Sequence, residues 1–508
     1  MASSSSYLTS IKPCAYRYKT NTAMSSIKDL KPKEIWSHFY ALTQIPRPSK
    51  KEAEVIAFMK KFGEDLGLET IVDEVGNVII KKPATPGFEN RKTVVLQGHL
   101  DMVPQKNSDK EFNFETDPIV SLIDGEWVTA DGTTLGSDNG IGVAAAMAVL
   151  SSKALKHGPV EALFTVDEET GMTGAFGLKP GLLDADILIN MDSEDEGELC
   201  VGCAGGINIE ATSSYTAEAF PSGMAAYRVS VRGLKGGHSG LDINLGRANA
   251  NKILFRFLMQ AESDFNIVLS EVSGGDLRNA IPRESHAIVG VSGDKAAEFE
   301  AFVANYQEIY KNEFAETEPN LEFSCEQTET PGDALNKEDQ FKFIRAIFAC
   351  PNGVQRMSSS MEGLVETSNN LAIVTIKDGK FEALSLTRSS VDSAKEATAW
   401  KIAAVFHLID ASVTMNGDYP GWKPNMKSPI LKTCQQVYEK EFGKIPEIMA
   451  MHAGLECGLL GGVYPNLDMI SIGPTIRFPH SPDEKVNIET VDKFWKFLVS
   501  ILESIPEK

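Results

Sequence analysis

The residues of this chain that could do chemistry are imidazoles and carboxylates placed where apolar runs stop. Val94 to Met102 reads VVLQGHLDM. Its short β-branched start suits a strand buried on both faces of a parallel sheet, and Gly98 is expected to let the backbone turn tightly at its end. His99 would then stand at the carboxyl edge of the sheet, where open α/β folds place their ligands. Asp101 shares the side-chain parity of His99 and is placed to accept the hydrogen bond of the ring nitrogen that faces away from a metal. A lone H-x-D is also what a buried histidine beside a turn aspartate looks like.

Three later stretches repeat the design. In LGSDNGIG, Asp138 lies between glycines ahead of an Ala-rich apolar helix, where it would serve as an N-cap or let something larger approach. The strand Ala162 to Val166 delivers Asp167, Glu168 and Glu169 in a row, and the strand Asp186 to Met191 delivers Asp192. Acid runs are usually solvated loops, but carboxylates gathered at apolar strand ends repel one another unless a cation joins them. Convergence of His99, Asp138, Glu168 with Glu169, and Asp192 therefore points to a two-metal hydrolytic centre. His480, in GPTIRFPHSPDE after the strand Leu467 to Ile472, is the best candidate for a second imidazole ligand.

The elements that must position these groups come from a chain of 508 residues, too long for one core. Hydrophobic residues make up 42% and charged residues 23%, an ordinary globular composition with no apolar run long enough to span a bilayer. With 49 Lys+Arg against 70 Asp+Glu, the net charge of −21 disfavours nucleic acid and anionic membranes as partners. Seven cysteines fit reduced thiols better than a disulfide framework, and the single C-x-x-C, Cys200 and Cys203, reads as buried thiols ahead of a redox pair. Met1 to Met24 is Ser/Thr-rich, carries Lys12, Arg17 and Lys19 and has no acid, which suits either a transit peptide or an extension preceding a start at Met24.

Periodicity predicts a helix over Pro32 to Thr43 with Ile35, Trp36, Phe39 and Leu42 on one face. From about Gly206 the texture changes to half-exposed alternating segments, Ala226 to Val231 and Ala287 to Val291 among them, separated by helices. That predicts an inserted α+β domain whose antiparallel sheet has one face covered, with two tandem βαββαβ-like units as a variant. The expected organisation is an extension over 1–24, a catalytic domain over 25–205 and 420–508, and the insert over 206–419. Inside the insert, LKGGHSG carries His238, LRNAIPRE carries Asn279 and Arg283, and LSLTRSSVD carries Arg388 at a strand end.

Taken together, GHLDMVPQK, GTTLGSDNGIG, DEETGMTGAFGL, CAGGI, LKGGHSG, LRNAIPRE, HAGLECG and FPHSPDE resemble the di-zinc aminoacyl-histidine (Xaa-His) dipeptidases, the cytosolic nonspecific dipeptidases of carnosinase type. These belong to the aminoacylase and glutamate-carboxypeptidase superfamily, and the likeness covers about residues 30 to 506. The Arg477-Phe478 pair is a departure, since smaller residues are expected before Pro479.

The resemblance implies a mixed-sheet α/β zinc-peptidase domain with the insert as a lid, and two Zn²⁺ per subunit, Mn²⁺ or Co²⁺ being alternatives. It implies that Asp138 bridges the ions, with His99 and Asp192 on one and Glu169 and His480 on the other. Asp101 would stand behind His99, and Glu168 would be the general base that takes a proton from metal-activated water. His238 would stabilise the oxyanion, while Asn279, Arg388 and the backbone at Gly454 would contact substrate, Arg388 gripping the C-terminal carboxylate. The implied protein is a cytoplasmic homodimer that hydrolyses unblocked dipeptides, including Xaa-His, and closes about hinges near residues 206 and 419. An organelle is the alternative location if Met1 to Met24 is a transit peptide. A deacylase of the same superfamily would use the same metals on N-acyl substrates, so the need for a free α-amine separates the two readings.

Overall fold

The computed structural model describes residues 26–508, so the N-terminal extension lies outside the described residues. The strand Val94–His99, buried at every position, is the axis of an eight-stranded mixed sheet. It pairs in parallel with Val160–Thr165 on one side and Ile187–Asn190 on the other. Asp468–Ser471 continues the parallel run beside Ile187–Asn190. All these strands therefore end at the same edge, and whatever follows each one in sequence is delivered to a common place. Helices on both faces supply the apolar cover that such strands need: Lys33–Thr43, Ser137–Ser151, Pro429–Phe442 and Ile488–Ser504 on one, and Thr173–Gly177 and Glu456–Val463 on the other. The predicted first helix buries Ile35, Trp36, Phe39 and Leu42 as expected. Each fully buried side chain of this size contributes about 1.5–3 kcal/mol.

Gly98 has a different role from the predicted turn. It lies within the Val94–His99 strand, and a side chain there would run into Asn139 Oδ1. The glycine is needed for close approach of the Asp138–Asn139 segment, because the turn comes only after His99.

A second, nine-stranded sheet is wholly antiparallel and is built from the chain between Gly205 and Tyr419. The two predicted alternating segments lie in the strands Met224–Arg232 and Ser285–Ser292, which pair with each other. The order of the tandem βαββαβ-like variant is present: strand, helix, two long strands, helix and strand run from Met224–Arg232 to Glu322–Gln327, and helix, two long strands, helix and strand follow from Lys337–Ala349 to Ser412–Tyr419. The halves join edge to edge through Val268–Gly274 and Val365–Lys377, giving one sheet over one apolar core. Ala250–Phe265, Ala296–Glu313, Lys337–Ala349 and Asp392–His407 are its helices. Where the chain enters and leaves this sheet, Cys203 and Trp422 exchange backbone hydrogen bonds of 2.9 and 3.0 Å. Gly205 is required beside them, since a Cβ there would strike the backbone of Tyr419 and Gly421. Cys200 and Cys203 are both buried, and burial pushes their thiols up to about 12 and about 11, which keeps them protonated and unreactive.

A small four-stranded sheet completes the frame. It pairs Ile476–Arg477 with Lys485–Asn487, and the latter with the hairpin Trp127–Ala130 and Ser121–Asp124. The turn between its first two strands carries His480. Among the described residues no helix is long and apolar enough to cross a membrane.

Candidate metal centre and substrate cleft

At the common edge, Asp138 stands between the two imidazoles. His99 Nε2 is 3.1 Å from Asp138 Oδ1, and His480 Nε2 is 3.3 Å from Asp138 Oδ2. Asp192 Oδ1 lies 3.5 Å from His99 Nε2, and Glu169 Oε2 lies 2.9 Å from His480 Nε2. Two triads result, His99–Asp138–Asp192 and Asp138–Glu169–His480, sharing one carboxylate. Donors held about 2.0–2.2 Å from a tetrahedral ion stand about 3.3–3.6 Å apart, close to the spacings seen here. Glu169 Oε1 is buried without a hydrogen-bond partner, which is the signature of an atom waiting for a ligand. Mixed nitrogen and oxygen donors of this kind suit Zn²⁺, and also Mn²⁺ or Co²⁺.

The charges behave as a cation-seeking set. Burial opposes the charge on Asp138, but hydrogen bonds from His480 and His99 outweigh it and hold the carboxyl well below its usual range. Hydrogen bonds to Asp138 and Glu169 push the His480 imidazole up to about 11. Burial, with Asp138 and Glu169 nearby, pushes Asp192 up to about 6 against the pull of His99. Burial also raises Glu168 well above an ordinary carboxyl; His99 draws it down, and Asp192, Glu456 and Glu169 push it up. The Glu168 carboxylate makes no hydrogen bond among the described residues, although it lies within the same cluster as His99 and Glu169.

Asp101 organises this corner. Its Oδ1 is 3.3 Å from His99 Nδ1 and accepts the Glu168 amide at 3.0 Å, while its Oδ2 accepts the Glu169 amide at 3.2 Å and Ser49 Oγ at 2.8 Å. One buried carboxylate thus orients the imidazole and the turn that bears both glutamates.

Two further organisers carry no signal of their own in the sequence. Arg47, between two prolines, is buried and donates to the carbonyls of Leu100 at 2.8 Å, Asp101 at 2.9 Å and Gly136 at 2.5 Å. It pins the strand end of His99 to the turn of Asp138. Glu484 closes the string SPDE four residues beyond His480 and accepts from the amides of Leu135, Gly136 and Ser137 at 2.7, 3.0 and 2.7 Å, and from Ser137 Oγ at 2.6 Å. It thereby ties the His480 loop to the Asp138 turn. Changing Glu484 to Gln places amide hydrogens against those donors, and the expected result is an apparent metal affinity about 10- to 100-fold weaker, read by calorimetric titration of metal-stripped protein. The Arg477 departure acts from outside, through an ion pair to Asp195 and a hydrogen bond to the Glu194 carbonyl at 3.1 Å.

The nine-stranded sheet supplies a second cluster. Arg388 is buried, yet it has no carboxylate partner among the described residues. Its guanidinium reaches Ser239 Oγ at 3.2 Å and the Tyr419 hydroxyl at 3.1 Å, and lies 3.5 Å from His238 Nε2. The tautomer of His238 follows from its neighbours. Nδ1 accepts the amides of Gly240 and Leu241 at 3.2 and 3.0 Å, so the proton sits on Nε2. Burial and the Arg388 charge push His238 down to about 4, which leaves it neutral near pH 7. Nε2–H and the guanidinium are both donors there, and they suit the negatively charged oxygens of a ligand.

Gly454 lies between the clusters: a Cβ on it would touch Tyr419 and also Met172, just beyond the Glu168–Gly171 turn. Asn279 is less engaged. Its carbonyl accepts the Ser239 amide at 2.8 Å, but its side chain is exposed and meets neither cluster. No hydrogen bond joins His238 to the metal cluster among the described residues.

Residues 95–504 match peptidase family M20/M25/M40. The chain belongs to this family. It is therefore a metallopeptidase-type hydrolase, in keeping with the donor set above. It is 47% identical to the cytosol non-specific dipeptidase of Escherichia coli (strain K12), over 96% of this chain and 100% of that protein. The crystal structure of aminoacylhistidine dipeptidase from Vibrio alginolyticus superposes with a TM-score of 0.91 at 48% identity, covering 95% of this chain and 99% of that one. Aminopeptidase PepT from Bacillus cereus ATCC 10987 shares the fold, with a TM-score of 0.55 at 17% identity over 94% of this chain and 99% of that one.

Proposed function

We propose that this protein is a zinc-dependent dipeptidase of unblocked dipeptides, including those ending in histidine. The observation that carries the reading is the shared carboxylate: each oxygen of Asp138 faces a different imidazole, and each pair has its own further carboxylate. The two full-length relatives with dipeptidase names support the substrate class. His99, Asp138 and Asp192 would hold one Zn²⁺, and Asp138, Glu169 and His480 the other. When bound, the ions supply Lewis acidity and lower the pKa of water.

The chain's own groups divide the remaining work. Glu168, free of hydrogen bonds and adjacent to a ligand, takes a proton from the attacking water and delivers it to the departing amine. Asp101 keeps His99 and the Glu168 turn in register. His238 donates from Nε2 to the oxyanion that forms at the scissile carbonyl. A buried guanidinium without a counter-ion is costly; the C-terminal carboxylate of the substrate completes Arg388, with Gly454 leaving room beside it. Asn279 reaches substrate when the cleft closes about residues 206 and 419.

The relative named as cytosolic supports a cytoplasmic location. We read the assembly as a homodimer, with Leu241, Leu245 and Leu277 exposed beside the paired His238 and Asn279 segments as the face it would cover. Metal analysis of the purified protein and a dipeptide panel with and without chelator test the proposal. The expected result is two ions per chain, hydrolysis of free dipeptides, and loss of activity on chelation that Zn²⁺ restores. Undiminished activity in the metal-free protein would overturn it.

A further inference from the structure

Tyr419 stands where the chain leaves the nine-stranded sheet, at the end of the strand Ser412–Tyr419 and opposite Gly206. Its carbonyl accepts from Lys395 Nζ, a buried ammonium that Asp392 and Asp418 also hold, so the backbone that bears the phenol is fixed. The free end of the ring lies between two glycines. A Cβ on Gly206 would come within 2.8 Å of the Tyr419 hydroxyl, and one on Gly454 within 3.2 Å. Neither glycine has a positive φ, so what each supplies is space beside the phenol. The same Gly454 position is 3.3 Å from Met172 Cε, just beyond the Glu168–Gly171 turn. The Tyr419 hydroxyl and the end of the turn that bears both glutamates therefore meet over Gly454.

The hydrogen of that hydroxyl has a constrained direction. The Tyr419 oxygen accepts from Arg388 Nη1 at 3.1 Å, and a guanidinium has only hydrogens to offer. The phenol's own hydrogen must point away from Arg388, and it meets no acceptor among the described residues. Ser239 Oγ is engaged in the same way by Arg388 Nε at 3.2 Å. The two hydroxyls differ in place. Ser239 is buried at the stem side of the guanidinium, where it holds Arg388. Tyr419 is half-buried and sits on a terminal nitrogen, beside Gly454. A carboxylate that reaches Arg388 from the metal edge passes Gly454 and comes up against the free phenol hydrogen.

We propose that the Tyr419 hydroxyl donates directly to the C-terminal carboxylate of the substrate, beside Arg388, and so helps to set the requirement for a free C terminus. This rests on the dipeptidase reading above. A carboxylate offers one oxygen to the guanidinium and the other to the phenol. A C-terminal amide has a single oxygen, and its NH₂ would be turned against one of the two donors. The pair therefore favours free dipeptides over their amides by more than the charge on Arg388 alone would.

The test measures kcat/KM for alanyl-histidine and alanyl-histidinamide in the wild type, Tyr419→Phe, Arg388→Lys and the double variant. Phenylalanine keeps the ring between the two glycines and removes only the hydroxyl. The wild type is expected to prefer the free acid. Tyr419→Phe shrinks that preference by about 10- to 100-fold, mainly through KM for the free acid. It does so again in the Arg388→Lys background, where an ammonium still attracts the carboxylate. Where turnover of the lysine variants is too slow, the two compounds are compared as ligands by calorimetry. An unchanged preference in Tyr419→Phe overturns the inference, as does the absence of a preference in the wild type. An equal loss on both compounds also overturns it, by making the hydroxyl a packing group. So does the absence of a further loss when Tyr419→Phe is added to Arg388→Lys, since Tyr419 would then act only through Arg388. These outcomes leave the dipeptidase reading standing; a zinc-loaded wild type that hydrolyses neither compound overturns that reading itself.

Discussion

Replacing Glu168 with alanine leaves the metal content at the wild-type level and lowers kcat by about 10²–10⁴-fold, the range that a positioned general base supplies. The two triads explain the unchanged metal. The carboxylates within 3.5 Å of the Nε2 atoms of His99 and His480 are those of Asp138, Asp192 and Glu169, and Glu168, though in the same cluster, forms none of these pairs. The Glu168 amide remains bound to Asp101, so truncating the side chain leaves the turn and its neighbour Glu169 in place. Metal stoichiometry by atomic spectroscopy and kcat on a free dipeptide check both halves. Near-wild-type turnover would remove Glu168 from the base role; loss of an ion would make it a ligand.

Changing Asp138 to asparagine gives the opposite pattern, with weaker binding of both ions and loss of turnover together. Only a carboxylate offers an anionic oxygen to each imidazole's ion. An amide keeps one acceptor and turns a donor towards the other position. The deficit should exceed the 10- to 100-fold typical of groups that merely orient ligands, so it should also exceed the effect of changing Glu484. Calorimetric titration of metal-stripped protein reads it. Two tight sites in the variant would show that the ions do not share Asp138.

Three of the side chains that form the two triads were legible because they end or follow apolar runs, and apolar runs of this length become strands: His99 ends Val94–His99, Glu169 follows Val160–Thr165 and Asp192 follows Ile187–Asn190. What brings them together is parallel pairing across the sheet, which strand ends suggest but do not prove. The organisers were hidden for a different reason. Glu484 and Arg47 act on backbone groups hundreds or tens of positions away, and backbone groups have no letter in a sequence. Gly98 was visible as a glycine, yet its purpose depends on Asn139 lying over it. The joining of the two halves of the antiparallel sheet likewise rests on three residue pairs between Val272–Gly274 and Val374–Ile376.

The paired backbone of Cys203 and Trp422 bears on how such a chain came to be. Because departure and return occur at neighbouring, hydrogen-bonded residues, everything between them occupies the position of a short surface loop in the parent sheet. The entropic cost of closing a loop grows only slowly with its length. A lineage can therefore lengthen, shorten or exchange the whole antiparallel module without shifting the register of a single parallel strand, and the chemistry at the strand ends is insulated from that experiment.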